Sequence, residues 1–107
     1  MILLALALAA VSPQKTGVRA YEWNHSCADW TKQRGDRGGY WKGDEGYVLG
    51  FVSGYNWFGP GDGDVALSLN PTGMIGWIDQ YCTANPLDSV ATAAFKLVVE
   101  LKRRKAS

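Results

Sequence analysis

The chain has 107 residues, 47% of them apolar and 20% charged, and its 11 basic side chains stand against 10 acidic ones. That length allows one domain at most. The near-balance of charge argues against a dedicated nucleic-acid binder, whose domain is clearly basic, and it offers no electrostatic steering toward one class of partner.

In chain order, Ile2 to Val11 (ILLALALAAV) is an uncharged apolar run, followed by SPQKTG and then Val18-Arg19-Ala20. About ten residues is half of what a bilayer-spanning helix needs. The run matches the central region of a secretory signal peptide, with Val18 and Ala20 at the −3 and −1 positions of a cleavage site. No basic residue precedes it, so a true start further upstream or a buried N-terminal helix are the alternatives, and a cut after Ala9 or Ala10 is an alternative cleavage. The expectation is a signal peptide over residues 1–20 and a single helical domain over residues 21–107, periplasmic or secreted. Loss of Lys15 and Arg19 with the leader keeps the mature domain close to neutral.

A domain of this size buries a modest core and gains from a covalent staple. Cys27 and Cys82 are the two cysteines. In an exported protein an even count reads as a disulfide, and two cysteines leave one pairing. Closing a loop of about 55 residues is worth on the order of 4 kcal/mol in the chain-entropy model. The alternative is a pair of free or metal-binding thiols. A closed zinc site needs further ligands, and the one histidine, His25, does not complete it. No metal and no cofactor is expected.

The first helix starts at Ser26, with Asp29 in capping-box spacing, carries Cys27, Trp30 and Gln33 on one side, and ends in the GDRGG run at 35–39. The second runs from the region Trp41 to Asp44 through Tyr55 or Trp57. Its bulky residues Tyr47, Val48, Phe51, Val52 and Tyr55 fall on one helical face, and a twisted strand pair fits that spacing poorly. Gly46, Gly50 and Gly54 form a second stripe beside that face. Each costs about 1 kcal/mol relative to alanine in a helix interior. The pattern predicts another helix or a bulky ring set directly against the backbone inside a bundle, the arrangement that small-xxx-small spacing supports in membranes.

Gly59 to Pro71 reads as a loop. The third helix spans about Thr72 to Thr83, with Met74, Ile75, Trp77, Ile78, Tyr81 and Cys82 on one face. The fourth is predicted to start at Asn85 as N-cap, with Pro86 in the first helical position and Asp88 in the first turn. Val90, Ala91, Ala94, Phe95, Leu97, Val98 and Leu101 continue it to the basic end Lys102-Arg103-Arg104-Lys105, where positive charge suits the helix dipole. The fold class is all-α: a small bundle of about four helices stapled by one disulfide.

Catalytic patterns are thin. His25 is the only histidine for a nucleophile–base pair, no serine sits in a Gly-x-Ser-x-Gly elbow, and the GDRGG glycines precede no phosphate-loop lysine. Asp44 and Glu45 suit a helix N-terminus, Asp62-Gly63-Asp64 suits a turn, and the latter lacks the further ligands of a calcium loop. The basic end reads as a solvated helix terminus, with contact to anionic lipid or cell-wall polymer as the alternative. The chain is not expected to be an enzyme. Its five tryptophans and five tyrosines are the more suggestive feature, because Tyr40-Trp41 and Tyr55-Asn56-Trp57-Phe58 flank the glycine-bearing helix. Exposed rings of this kind form protein-binding surfaces.

The arrangement SC-x-x-W, then GYVLGFVSGYNW, then WIDQYC-x-x-NPLDSVATAAFKLVVEL resembles small exported bacterial proteins. In layout it is similar to the HdeA/HdeB acid-stress chaperones, through the leader, the short helical domain, the disulfide and the Cys82-Thr83-Ala84-Asn85-Pro86 element. A looser resemblance, through Gly46-Tyr47-Val48-Leu49-Gly50, is to periplasmic immunity proteins that neutralise amidase effectors of type VI secretion. The first resemblance implies a non-enzymatic protein-binding domain, monomeric or homodimeric, that releases an apolar surface for unfolding clients when its carboxylates are protonated. Gly50, Phe51, Gly54, Tyr55 and Trp57 are the candidate surface. The second implies an inhibitor of a cell-wall-degrading enzyme, with the 59–71 loop blocking a cleft. Neither implies nucleic acid or stable membrane insertion.

Overall fold

A computed structural model describes residues 25–36, 41–60 and 64–106. The expected leader at 1–20, Tyr40 and Asp62 lie outside the described residues. Four α-helices follow in order: α1 (Cys27–Asp36), α2 (Trp41–Phe58), α3 (Pro71–Ala84) and α4 (Val90–Ala106), with a 3-10 turn at Val65–Ser68 between α2 and α3. The fold is all-α, as the helical periodicities require. The extended pairing among the described residues is a single antiparallel bridge between Ser26 and Ser89.

The start of α1 is the predicted capping box: the Asp29 amide donates to Ser26 Oγ at 3.0 Å, and the Ser26 amide reaches back to Asp29 Oδ2 at 3.4 Å. The helix buries Cys27 and Trp30 completely. Cys27 meets Cys82 of α3 at disulfide distance, with Cα atoms 4.6 Å apart and both side chains fully buried. Helix α3 opens at Pro71, with the Asn70 side chain accepting from the Gly73 amide at 2.8 Å.

Asn-Pro occurs twice, and the two copies do different things. Asn85-Pro86 was the expected start of the fourth helix, but α4 begins at Val90, capped by Ser89, whose Oγ accepts from the Thr92 amide at 3.0 Å. Asn85 instead closes α3: its amide donates to the Tyr81 and Cys82 carbonyls, and its side chain donates to the Tyr81 carbonyl at 2.9 Å. The reason lies in α1. Its first amides have no partner within their own helix. The Pro86 and Asp88 carbonyls supply one, accepting from Ala28 at 3.1 Å and from Cys27 at 2.7 Å. A helix begun at Pro86 would spend those carbonyls on its own ladder, so a long-range contact overrides a local start signal.

The core runs through Trp30, Val48, Val52, Ile75, Ile78, Val90, Ala94, Leu97 and Leu101. Helices α3 and α4 form an antiparallel hairpin across the 85–89 turn. Helices α2 and α4 run parallel. His25 ties their starts, bonding Asp44 of α2 through its ring and accepting from the Val90 amide through its carbonyl. Lys102 of α4 lies over the Tyr55 ring at 5.5 Å near the other end.

The glycine stripe does not do what its spacing suggested. A Cβ built at Gly46, Gly50 or Gly54 would meet nothing within 4 Å, so no element among the described residues presses on this backbone. Val48 and Val52, which face the core, lie about 160° around the helix from Gly50 at 100° per residue. Helix α2 therefore packs through side chains, with Asp44, Val48 and Val52 buried in one row, and its glycines look outward.

Candidate functional site

The outer surface of α2 is a strip of small residues bordered by rings. At 100° per residue, Gly43, Gly46, Gly50, Gly54 and Trp57 fall within about 80° of one another, with Tyr47, Phe58 and Phe51 along one margin. Trp57 is 81% exposed and Phe58 90% exposed. Tyr47 and Phe51 are half-buried, with ring centroids 6.0 Å apart, and both lean on the core from the side. Without side chains at the glycines, the strip is a shallow trough with an aromatic wall and an aromatic end.

Of the five residues expected to form a binding surface, Gly50, Gly54 and Trp57 share this outward face. Phe51 sits on its flank, and Tyr55, about 140° around the helix from Gly50 and beside Val48, turns toward the packed side; both are partly buried against the core. Tyr55 is further held by its hydroxyl, which donates to the Pro60 carbonyl at 2.9 Å, and by Lys102 above the ring. Phe58 is the more exposed aromatic and belongs with the set. Its place in the run Tyr55 to Phe58 was the available signal. Asn56 turns the other way, holding the chain after α2 through bonds to Asp64 and the Val65 amide.

A second feature lies where α1, α2 and α3 meet. Arg34 donates to both Asp79 oxygens, at 2.7 and 3.0 Å, and also to Glu45. Trp30 Nε1 donates to Asp79 Oδ1 at 2.7 Å, and the guanidinium stands 5.6 Å from the Trp30 ring. Burial works against the charge on Arg34, but the bonds to Asp79 and Glu45 outweigh it and raise its pKa. A cleft of about 400 Å³ opens beside this group, lined by Arg34, Glu45, Leu49, Thr72, Ile75 and Asp79 among others. Its charged groups are engaged with one another, and it contains no histidine or thiol nucleophile. What the group does is join three helices.

Two acidic residues expected merely to suit a helix N-terminus have long-range partners instead. Asp44 is 1% exposed and bonds His25 Nδ1 at 2.6 Å, while Glu45 pairs with Arg34. Both contacts span turns and helices, which local spacing does not report. Elsewhere, Tyr81 donates to Asp88 at 2.5 Å, and that bond pushes its pKa up to about 12. At the basic end, hydrogen bonds from Arg103 and Arg104 hold Glu100 down to about 2. Among the described residues, no cluster of three or more His, Cys, Asp or Glu side chains is arranged to hold a metal ion.

The chain matches no family model, no curated protein and no solved structure.

Proposed function

We propose that this chain is a non-enzymatic protein-binding domain that presents the outer face of α2 to a protein partner at neutral pH. The carrying observation is that Trp57 and Phe58 stand 81% and 90% exposed at the end of a glycine strip where a Cβ at Gly46, Gly50 or Gly54 meets no described residue within 4 Å. Large exposed aromatics beside a bare backbone give a partner contact area at low entropic cost, and they are the usual anchors of protein interfaces. Neither ring belongs to the buried core. The looser resemblance to immunity proteins agrees with a surface that is open before any trigger. The pairing of Cys27 with Cys82 suits an oxidising compartment, periplasmic or extracellular.

The test is a photo-crosslinking amino acid placed at the exposed Ser53 of the full chain, irradiated in host-cell extract at neutral pH, with Thr92 as the control position. One discrete adduct from position 53, absent for Thr92 and lost in Gly50→Leu, is the expected result. An adduct of twice the chain's mass would identify a second copy as the partner. No adduct, or the same ladder from both positions, would refute the reading.

A second reading, an acid-triggered chaperone for unfolding clients, draws support from the carboxylates at the seams. Asp44 with His25, Asp79 and Glu45 with Arg34, and Asp88 with Tyr81 join different elements. Carboxylates placed between elements are the arrangement that an acid-triggered release requires. This version requires suppression of client aggregation, and binding of a hydrophobic dye, at pH near 2–3 but not at neutral pH. Dye binding already complete at neutral pH would count against it.

A further inference from the structure

The parallel course of α2 and α4 has a consequence for their far ends. From Asp44 to Tyr55 the first helix rises about 17 Å, and from Val90 to Lys102 the second rises about 18 Å, at 1.5 Å per residue. Both start at His25 and meet again at the Tyr55–Lys102 contact. Trp57 and Phe58 therefore emerge at the same end of the bundle as the basic run Lys102 to Lys105. The sequence keeps these two groups some 45 positions apart, so only the fold unites them.

We propose that this end of the bundle rests on the surface of a bilayer containing anionic lipid. Trp57 and Phe58 are the exposed rings, and Lys102, Arg103 and Lys105 are exposed cations. Phe95 and Val99, 55% and 48% exposed, continue the apolar character along α4 at i, i+4 and i+7 spacing with Lys102. Two acidic groups among the described residues share the region. Glu100 accepts from Arg103 and Arg104, and Asp64 accepts from Asn56. Among the described residues, four basic side chains stand against these two acidic ones at this end. Charge complementarity selects the occupant. Lysine is depleted at the centre of protein interfaces, whereas aromatic rings among Lys and Arg are the composition of a membrane–water interface. Each basic side chain gains from the negative surface potential, and the rings enter the headgroup region. The contact is peripheral: no helix among the described residues is long and apolar enough to cross a membrane.

The experiment is co-sedimentation of the full chain with vesicles of phosphatidylcholine alone and of phosphatidylcholine with about a third phosphatidylglycerol, at low and raised salt. Because Ile2 to Val11 is itself apolar, the readout is the difference between variants of the same chain. Binding is expected to favour the anionic vesicles and to weaken with salt. Lys102→Gln with Arg103→Gln, and separately Trp57→Ser with Phe58→Ser, should each lower partitioning on the order of tenfold, with helical content retained by circular dichroism. Equal partitioning to both vesicle types would overturn the proposal. So would anionic binding that the aromatic double variant keeps in full, or equally strong retention on heparin, which would assign the basic end to a soluble polyanion. The lipid contact uses the same Trp57 and Phe58 as the partner-binding reading, but purified vesicles contain no protein, so this result is read separately from that of the crosslinking test.

Discussion

Replacing the outward glycines of α2 with alanine should stabilise the fold. Gly46, Gly50 and Gly54 all lie inside the helix Trp41–Phe58, and an added Cβ at each meets nothing within 4 Å. The substitution therefore adds no clash and buries nothing. What remains is the backbone freedom that glycine loses on folding, about 1 kcal/mol per site. With no shared partners the effects should sum to about 3 kcal/mol in the triple variant, and each kcal/mol raises Tm by roughly 4–8 °C in a domain of this size. Urea unfolding followed by far-UV circular dichroism reads this as a higher midpoint at unchanged slope. Gly59 provides the opposite case in the same chain. A Cβ there would come within 2.7 Å of the Tyr55 ring and carbonyl, so Gly59→Ala should destabilise. The triple variant should also bind a partner more weakly, since alanine fills the trough. Loss of stability at Gly46, Gly50 or Gly54 would mean that something packs against the backbone after all, and the outward-facing assignment would be wrong.

Other perturbations test the remaining joints. Removing the crosslink with Cys27→Ala and Cys82→Ala should cost on the order of 4 kcal/mol in denaturant unfolding, and an unchanged midpoint would deny the pairing. Asp79→Ala leaves Trp30 Nε1 without its acceptor and Arg34 with Glu45 alone, and should cost about 1–3 kcal/mol by the same assay; a neutral result would show that the three-helix junction is ornamental. Ser89→Ala should cost about 1 kcal/mol while Pro86→Ala changes stability by about half of that or less, and the reverse order would restore the helix start to Asn85-Pro86. Ultraviolet titration should find one tyrosine ionising at about pH 12, returning toward 10 in Asp88→Asn. Because the folded pKa is raised, this bond's contribution to stability is complete below pH 10 and disappears as pH rises through about 12.

Helix number, the capping box at Ser26 and the pairing of the two cysteines were legible because each follows from spacing within a few residues or from a count. The start of α4 was not, since it depends on amides at Cys27 and Ala28 that lie about 60 positions away and take the Pro86 and Asp88 carbonyls. The glycine stripe was legible as a pattern and opaque as a contact. Periodicity says which residues share a face, but only the position of α4 says which face is inward. Gly50, Gly54 and Trp57 share the outer face, Phe51 comes to its edge, and Tyr55 turns toward the packed side. Phe58 was missed as a member, and the Arg34–Asp79–Glu45 junction escaped because its three residues come from three helices. The same limit kept Trp57 apart from Lys102 until the parallel packing of α2 and α4 was known.

The central claim is that α2 turns an uncovered aromatic and glycine surface to solvent while the crosslinked bundle stays closed behind it. Hydroxyl-radical footprinting of the folded protein at neutral pH, resolved by mass spectrometry to single residues, measures this directly. Trp57 and Phe58 should oxidise rapidly while Trp30, fully buried against α3, stays protected until the protein is unfolded. Protection of Trp57 and Phe58 equal to that of Trp30 would contradict the account.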